Sequence, residues 1–527
     1  MRSSGIVPGR VAAWLRLCLL GPLLTLGTAR AGDVVDGNKA GPAPRGGLIT
    51  LEACIDMALR RNRDLQIERL SPLVARAQLS GAQGFYDPVL VTDFRRDDAT
   101  DAGGLDPADF SRDAVYSAES AAWRSGITGF LPSGMSYAIT GVYAHSDGER
   151  NLLNFDSYNL GAGITARQPL LKNFWIDSGR LVIRVNRKLL ESRELGVSFL
   201  VMDVVNRVQQ AYRELQYARE YRQVQTELRA ARQRTLAGLE RQVELGLLTP
   251  ANTLSTRAQL AALDSTLVAA DNAAVLAENA LRTLLGLDFR HAPEDRLLPA
   301  ERLWLLAEDF DLDQCRSRGL AQRPDLAQLR IEVERGEIDL RFRRNQLFPS
   351  VDLVAGYGRR GASTDQLPPP LDPQASGGDA FQQLADGTNP SLMVGVIFSM
   401  PLSRASERAN YRASRHLKAQ AELRVIQKEE LVLREITDAV LTAQLSLELA
   451  RAAERAAALA VQALAAEERK LAGGTSTIYT VLLLQNDLLA ARAAELRSRA
   501  DHLKAVSQLQ FADGTLLERR HIRIAAE

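Results

Sequence analysis

The chain has 527 residues, 46% of them hydrophobic and 24% charged, with 65 Lys and Arg against 64 Asp and Glu. That length accommodates several domains, and so even a charge balance gives nucleic acid nothing to hold. No long apolar span is evident in the mature region. The histidines (His145, His291, His416, His502 and His521) lack metal-ligand spacing, and without a phosphate loop or nucleophile elbow there is no visible seat for catalysis or a cofactor.

Residues 1–31 read as a signal peptide. Arg2 and Arg10 supply the charged start, Val11 to Leu26 the apolar run, and Ala29-Arg30-Ala31 the cleavage site. Arg16, Gly21 and Pro22 oppose an anchor reading, because they interrupt a run already too short to span comfortably. Arg16-Leu17 before Cys18 is a poor context for lipidation. Removing the leader takes four arginines and no acid, leaving 61 basic residues against 64 acidic ones, about −3. Residues 32–49, rich in Gly and Pro, read as a flexible lead-in.

The first repeat covers residues 50–286. Thr50 can cap a helix whose apolar residues Leu51, Ile55, Ala58, Leu59, Leu65, Leu73 and Leu79 recur at helical spacing up to Gly84, with a kink expected at Pro72. From Tyr86 to Leu170 the period becomes two: Tyr158, Leu160, Ala162 and Ile164 alternate with Asn159, Gly161, Gly163 and Thr165. Pro132-Ser133-Gly134 signals a turn before the alternation of Tyr137, Ile139 and Tyr143. Segments of about ten residues match a tilted transmembrane strand. A lone small sheet would leave apolar edges exposed, which copies from several subunits would close.

A helical arm follows from Ser178 to Leu245, then a return helix from Pro250 to Leu285. Residues 287–311 are read as an equatorial connector, 312–513 as the second repeat and 514–527 as a C-terminal tail. The second repeat has strand segments Val351 to Tyr357 and Leu392 to Phe398 around a long exposed loop, Gly361 to Pro390, then an arm from Ser403 to Leu471 and a return helix from Thr477 to Phe511. Each arm of about 68 residues is roughly 100 Å long, more than a globular core needs. Leu449, Ala452, Ala456, Leu459, Ala463 and Ala466 step by three and four, as in a coiled-coil seam. The repeats align with Cys54 on Cys315, Leu59 on Leu320, Asp64 on Asp325, Leu65 on Leu326 and Pro88 on Pro349. The two cysteines either pair across the pseudo-symmetry axis or stay as buried apolar thiols. Length matching predicts that a return helix and a frame helix stack end to end beside each arm.

Gly246-Leu247-Leu248-Thr249-Pro250 and Gly473-Gly474-Thr475-Ser476-Thr477 turn the chain at the arm tips, glycine closing one helix and threonine capping the next. Arg229, Arg232, Arg234 and Arg241 near the first tip either pair with acids across the helical tips and help close them or, as such runs usually do, form a solvated face pairing with Glu227 and Glu240.

The frame helices "LEACIDMALRRNRDLQ" and "AQRPDLAQ", the junctions "YNLGAGITARQPLL" and "SLMVGVIFSMPL", and the turns "GLLTPANTL" and "GTSTIYTVLLLQ" together resemble the outer-membrane efflux protein family of TolC-like ducts across nearly the whole mature chain. The resemblance implies a mainly α fold with β: a long coiled-coil α-helical barrel in the periplasm plus a transmembrane β-barrel in the outer membrane, shared by a homotrimer with two pseudo-symmetric repeats per chain. It implies a passive exit duct of a tripartite efflux or type I secretion system, without cofactor or metal, working with a periplasmic adaptor and an inner-membrane pump or ATPase. Gly246, Leu247, Leu248, Thr249, Gly473, Gly474 and Thr475 would meet the adaptor. Asn252, Thr480 and Leu483 are aperture candidates, and Tyr158, Leu160 and Ile164 would face lipid. Relatives often carry aspartates where Thr480 and Leu483 stand. Residues 118–128 and 135–143 exceed the family's two strands per repeat: either this hairpin folds outside a twelve-stranded barrel, or the barrel has eighteen strands. The competing classes are an extracytoplasmic coiled-coil scaffold without transport activity and the adaptor itself, against which the duplicated arms argue.

Overall fold

The computed structural model describes residues 47–101, 116–150, 153–246, 249–291, 296–305 and 308–522. The signal-peptide reading, residues 32–46 of the lead-in, and Leu247 and Leu248 at the first tip lie outside them. In chain order the first repeat comprises β1 (Leu48–Ile49), α1 (Leu51–Arg61), α2 (Arg63–Gln83), β2 (Val89–Asp101), β3 (Tyr116–Phe130), β4 (Ser136–Arg150), β5 (Leu153–Pro169), α3 (Ser178–Glu244) and α4 (Ala251–Leu284). After β6 (Leu298–Pro299) come α5 (Leu312–Gln322), α6 (Pro324–Asn345), β7 (Ser350–Leu367), α7 (Gly377–Asp386), β8 (Asn389–Ser399), α8 (Ala405–Ala472), α9 (Ile478–Ala512) and α10 (Leu516–Arg519).

Thr50 starts the first frame helix by accepting a hydrogen bond from the Ala53 amide at 3.3 Å. The expected kink at Pro72 is not where the helix ends; Pro72 lies inside α2. The break is at Asn62, whose side chain accepts from the Leu65 amide (3.1 Å) and donates to the Leu284 carbonyl (2.9 Å). The second frame helix breaks at the matching register, at Arg323, where Pro324 opens the next helix. The break shortens the predicted stack. Only α2, of 21 residues, continues the line of the 34-residue α4, while α1 turns aside onto the middle of α3.

The arms hold 67 and 68 residues. Val201, Val204, Val208 and Tyr212 of α3 bury against Cys54, Ile55 and Ala58, and Val432, Ile436, Val440 and Ala443 of α8 share a second cluster with Cys315 and Leu509. Both thiols are free and buried in separate clusters, so they act as small apolar residues and not as a disulfide. Burial pushes the Cys54 thiol up to about 12, with Glu301 adding to it. Within one chain the expected seam on α8 is not the stripe that is buried. Leu449 and Leu459 are 65% and 64% exposed, while Ile436, Ala439, Ala443, Ala450 and Ala457 form the buried stripe. An Ala-rich helix offers several stripes of small residues, and the partner decides which is buried.

The connector and tail meet the middle of α3. Leu48 and Ile49, expected in the lead-in, pair in parallel with Leu298 and Pro299. Gln216 donates to the Glu301 carbonyl (2.7 Å), the Leu303 amide donates to Glu220 (3.1 Å), and Arg519 pairs with Glu308 at 2.9 Å.

All six long strands form one antiparallel sheet in the order β2-β3-β4-β5-β7-β8, with the hairpin β3-β4 inside it. The strands run 11 to 18 residues, longer than the ten expected. The expected loop 361–390 is partly structured: β7 continues to Leu367, and α7, capped by Ser376 and closed by Gly387 at φ +69°, packs on the sheet. Ala380 is fully buried there, and the main chains approach so closely that a Cβ at Gly361 would collide with the Ala380 carbonyl.

Candidate functional site

The sheet ladders run in continuous register, so directly paired residues share a face and alternate residues face opposite ways. One face carries Leu90 and Phe94, Trp123 and Ile127, Ile139 and Tyr143, Leu160 and Ile164, Leu353 and Tyr357, and Leu392, Val394, Val396 and Phe398. Most of these are exposed. The other face carries small and polar residues such as Thr140, Asn159, Gly163, Thr165 and Gly358. Tyr158, Leu160 and Ile164 thus lie on the apolar face together. Ile164 is 47% exposed, between Ile139 and Tyr357. Leu160 is half-buried opposite Gly361, and Tyr158 stacks on His145 with ring centroids 4.3 Å apart, beside Gly377 of α7.

The apolar band ends sharply at the sheet end away from the arms. There Asp98, Glu119, Asp147, Asp156 and Asp365 form one cross-strand row. Like charges side by side repel, and local partners take them up. Arg96 pairs with Glu119, His145 Nε2 lies 2.8 Å from Asp156, and the amides of Gln374 and Ala375 donate to Asp365 and Asp156. The two outer strands β2 and β8 pair on one side only, so the sheet ends in two open edges.

At the helical tips, Gly246 and Gly474 take φ +74°, which only glycine adopts without strain. The Gly474 amide donates to the Leu471 carbonyl (3.1 Å) and the Thr475 amide to that of Lys470 (2.9 Å), closing α8 in a Schellman turn. Gly473 stays helical at φ −81°. Thr477 caps α9 by accepting from the Thr480 amide at 3.3 Å. Thr249 does not cap α4: the helix begins behind Pro250, already at φ −54° and without a side-chain cap. Thr480 is half-buried with its hydroxyl 2.9 Å from that of Thr477, and Leu483 is 49% exposed. Asn252 lies in the first turn of α4. Asp487, exposed one turn beyond Leu483, is a carboxylate near the aperture candidates that the sequence reading passed over.

The arginines near the first tip do not form the expected pairs along one helix. Arg229 pairs with Asp264 of α4 at 2.5 Å, Arg232 donates to Asn486 of α9, and Glu240 and Glu227 pair with Arg257 and Arg492 on other helices. Arg232 is 2% exposed, and burial lowers its pKa. Arg234 and Arg241 remain exposed. Contrary to the expectation of no long apolar span, Thr253–Leu284 is long and apolar enough to cross a membrane by length and composition. Its acids Asp264, Asp271 and Glu278 pair with Arg229, Arg222 and Arg219 of α3, while Leu254, Val268, Val275 and Leu276 stand exposed.

Residues 316–515 match the family model described as outer membrane efflux protein. The second repeat belongs to the outer membrane efflux protein family. No curated protein sequence matches the chain. Among solved structures it is similar to a membrane protein from Pseudomonas aeruginosa, at 17% identity over 88% of this chain and 92% of that one, with a TM-score of 0.63. It is also similar to the Campylobacter jejuni CmeC outer membrane channel, at 14% identity over 91% of each chain and a TM-score of 0.62. The open state of the Neisseria gonorrhoeae MtrE outer membrane channel matches at 16% identity over 88% and 89%, with a TM-score of 0.62. These likenesses concern the fold. The efflux-protein match begins in α5 and ends just past α9, and the first repeat has the same succession of broken frame helix, strands, arm and return helix.

Proposed function

We propose that three copies of the chain form a passive exit duct in the outer membrane, with the helical arms lining a periplasmic tunnel. The observation that carries this reading is the open six-stranded sheet with one continuous exposed apolar face. Such a face is a liability in water, and two unpaired edges invite further strands. Three copies supply eighteen strands, a number that closes around an aqueous lumen. Leu160 and Ile164 then face lipid, Tyr158 sits under α7 at the rim, and Asn159 and Thr165 face water. The exposed stripes with Leu449 and Leu459 on α8, and with Val268 and Val275 on α4, become contacts between subunits.

The tips at Gly246 and Gly474 are the parts farthest from the sheet, and there the duct meets a periplasmic adaptor delivering substrate from an inner-membrane pump or secretion ATPase. The energy comes from that partner. The test compares Ile164→Arg with Thr165→Arg, neighbours on opposite faces. An arginine facing lipid costs about 2–4 kcal/mol at the bilayer midplane, against little in a lumen. Ile164→Arg is expected to deplete folded trimer from the outer-membrane fraction, and Thr165→Arg to leave it in place. Equal recovery of both variants, or a wild-type chain that is soluble without detergent as a coiled-coil scaffold would be, refutes the reading.

A further inference from the structure

The apolar face is not uniform. One cross-strand row runs from Pro390 through Arg359 to Ala162, Gly141, Ser125 and Thr92, and from Arg359 onward only the arginine is large. It runs between ridges led by Tyr357, Ile164 and Ile139 on one side and by Leu160, Tyr143 and Trp123 on the other. From Arg359 onward the row is a trough crossing five strands, about 19 Å long at the usual strand spacing. A hollow of about 570 Å³ opens over it, with Leu384 of α7 and Arg359 in its wall. Arg359 donates to the Tyr357 hydroxyl and to the Ala385 carbonyl, each at 3.3 Å. Among the described residues no carboxylate forms an ion pair with it. An unpaired cation is costly on a face turned to hydrocarbon.

We propose that this trough is a binding site for a phosphate-bearing membrane lipid, with one acyl chain along Ala162, Gly141 and Ser125 and the phosphate on the Arg359 guanidinium. The inference rests on the reading of this face as the lipid side. One leaflet is about 15 Å of hydrocarbon, so the trough takes most of one extended chain. The chain fills the space between the ridges, which the sheet's own side chains leave empty. The guanidinium still has donors to spare after its two neutral partners, and its planar fork suits a phosphate. The last turn of α7, bearing Leu384 and the Ala385 carbonyl, closes the end of the trough at which the headgroup sits.

The test is native mass spectrometry of the full detergent-purified chain with added phosphatidylglycerol, and with phosphatidylcholine or inorganic phosphate in parallel. Wild type is expected to retain one phosphatidylglycerol per chain. Gly141→Leu fills the trough, and its Cβ root meets only the Ser125 carbonyl at an ordinary 3.7 Å, so the strand tolerates it. Retention should fall at least tenfold in Gly141→Leu and in Ala162→Leu. Arg359→Gln keeps the trough open and should remove the preference for the anionic lipid. Retention in Gly141→Leu and Ala162→Leu equal to wild type overturns the site, as does an Arg359→Gln variant with unchanged preference or binding of inorganic phosphate without lipid. A wild-type chain that never enters a membrane fraction overturns the underlying face assignment and this site with it.

Discussion

Arg323 gives the sharpest energetic prediction. Its side chain is 4% exposed and holds Asp325 through two bonds, Nε to Oδ1 at 3.0 Å and Nη2 to Oδ2 at 2.7 Å. Nη1 also reaches Glu435 of α8 at 2.6 Å and the Ala512 carbonyl at 3.4 Å, and Lys428 reaches Asp325 at 2.8 Å. The group therefore ties the break in the second frame helix to the arm and to the end of the return helix. Arg323→Met removes the guanidinium and leaves Asp325, 11% exposed, with the Lys428 ammonium and the Leu326 amide. Breaking a buried pair costs about 3–5 kcal/mol, and the remaining lysine places this case near the lower end. For a folded unit of about 480 residues the unfolding entropy is about 1 kcal/mol/K, so the midpoint should fall by about 3 °C. The control is Arg330→Ala, which breaks an exposed pair with Glu429 worth about 0–1 kcal/mol. Far-UV circular dichroism of detergent-solubilised protein reads both at one fixed concentration, because the proposed trimer would make the midpoint depend on concentration. Burial pushes Asp325 upward, but Arg323 and Lys428 outweigh it and hold its carboxyl below the usual value. A depressed carboxylate contributes stability above its unfolded pKa of about 3.9 and loses it as pH falls through the lower folded value. The gap between wild type and Arg323→Met should therefore persist from pH 7 to about pH 4 and shrink only below it. An Arg323→Met midpoint no lower than that of Arg330→Ala, or a gap that closes above pH 5, refutes the reasoning.

At the tips, Gly246→Pro or Gly474→Pro forces φ from +74° to about −65° and removes the amide that donates to Val243 or Leu471. Trimers should persist in the outer membrane while export is lost, and normal export in both variants would exclude the tips as the adaptor contact. For the thiols, burial and a pKa pushed to about 12 predict that Cys54 resists iodoacetamide at pH 8 in the folded protein and reacts within minutes in denaturant. A reducing agent should leave the unfolding midpoint unchanged. Rapid labelling of the folded chain would contradict the packing described for Cys54.

Much of the helical plan was legible. The arms end within two residues of the expected positions because capping and Gly signals are local: Asp177 accepts from the Arg180 amide at one end, and Gly246 and Gly474 close the other. The duplicated register was equally clear, with Cys54 and Cys315, and Leu65 and Leu326, fully buried at equivalent positions. Pro72 stays inside α2, and the break at Asn62 was not legible because it is fixed by the Leu284 carbonyl, a partner distant in sequence. The equivalence of Asp64 and Asp325 holds in register but not in environment, since Asp64 is exposed and Asp325 is not. The short helix α7 escaped notice because ten residues between Pro- and Gly-rich flanks carry too little periodicity. Only the β7 and β5 surface beneath it accounts for its place.

The sequence by itself determined the two repeats, the lengths of the arms and the alternation of Tyr158, Leu160 and Ile164, since these depend on spacing along a single segment. The tertiary structure decided that the extra hairpin joins β2, β5, β7 and β8 in one six-stranded sheet. It also decided that Ala443, Ala450 and Ala457, and not Leu449 and Leu459, form the buried stripe of α8, and that a lone arginine ends a trough of small residues. Those features depend on which segments pair and in which register, and a one-residue shift would send every strand side chain to the other face.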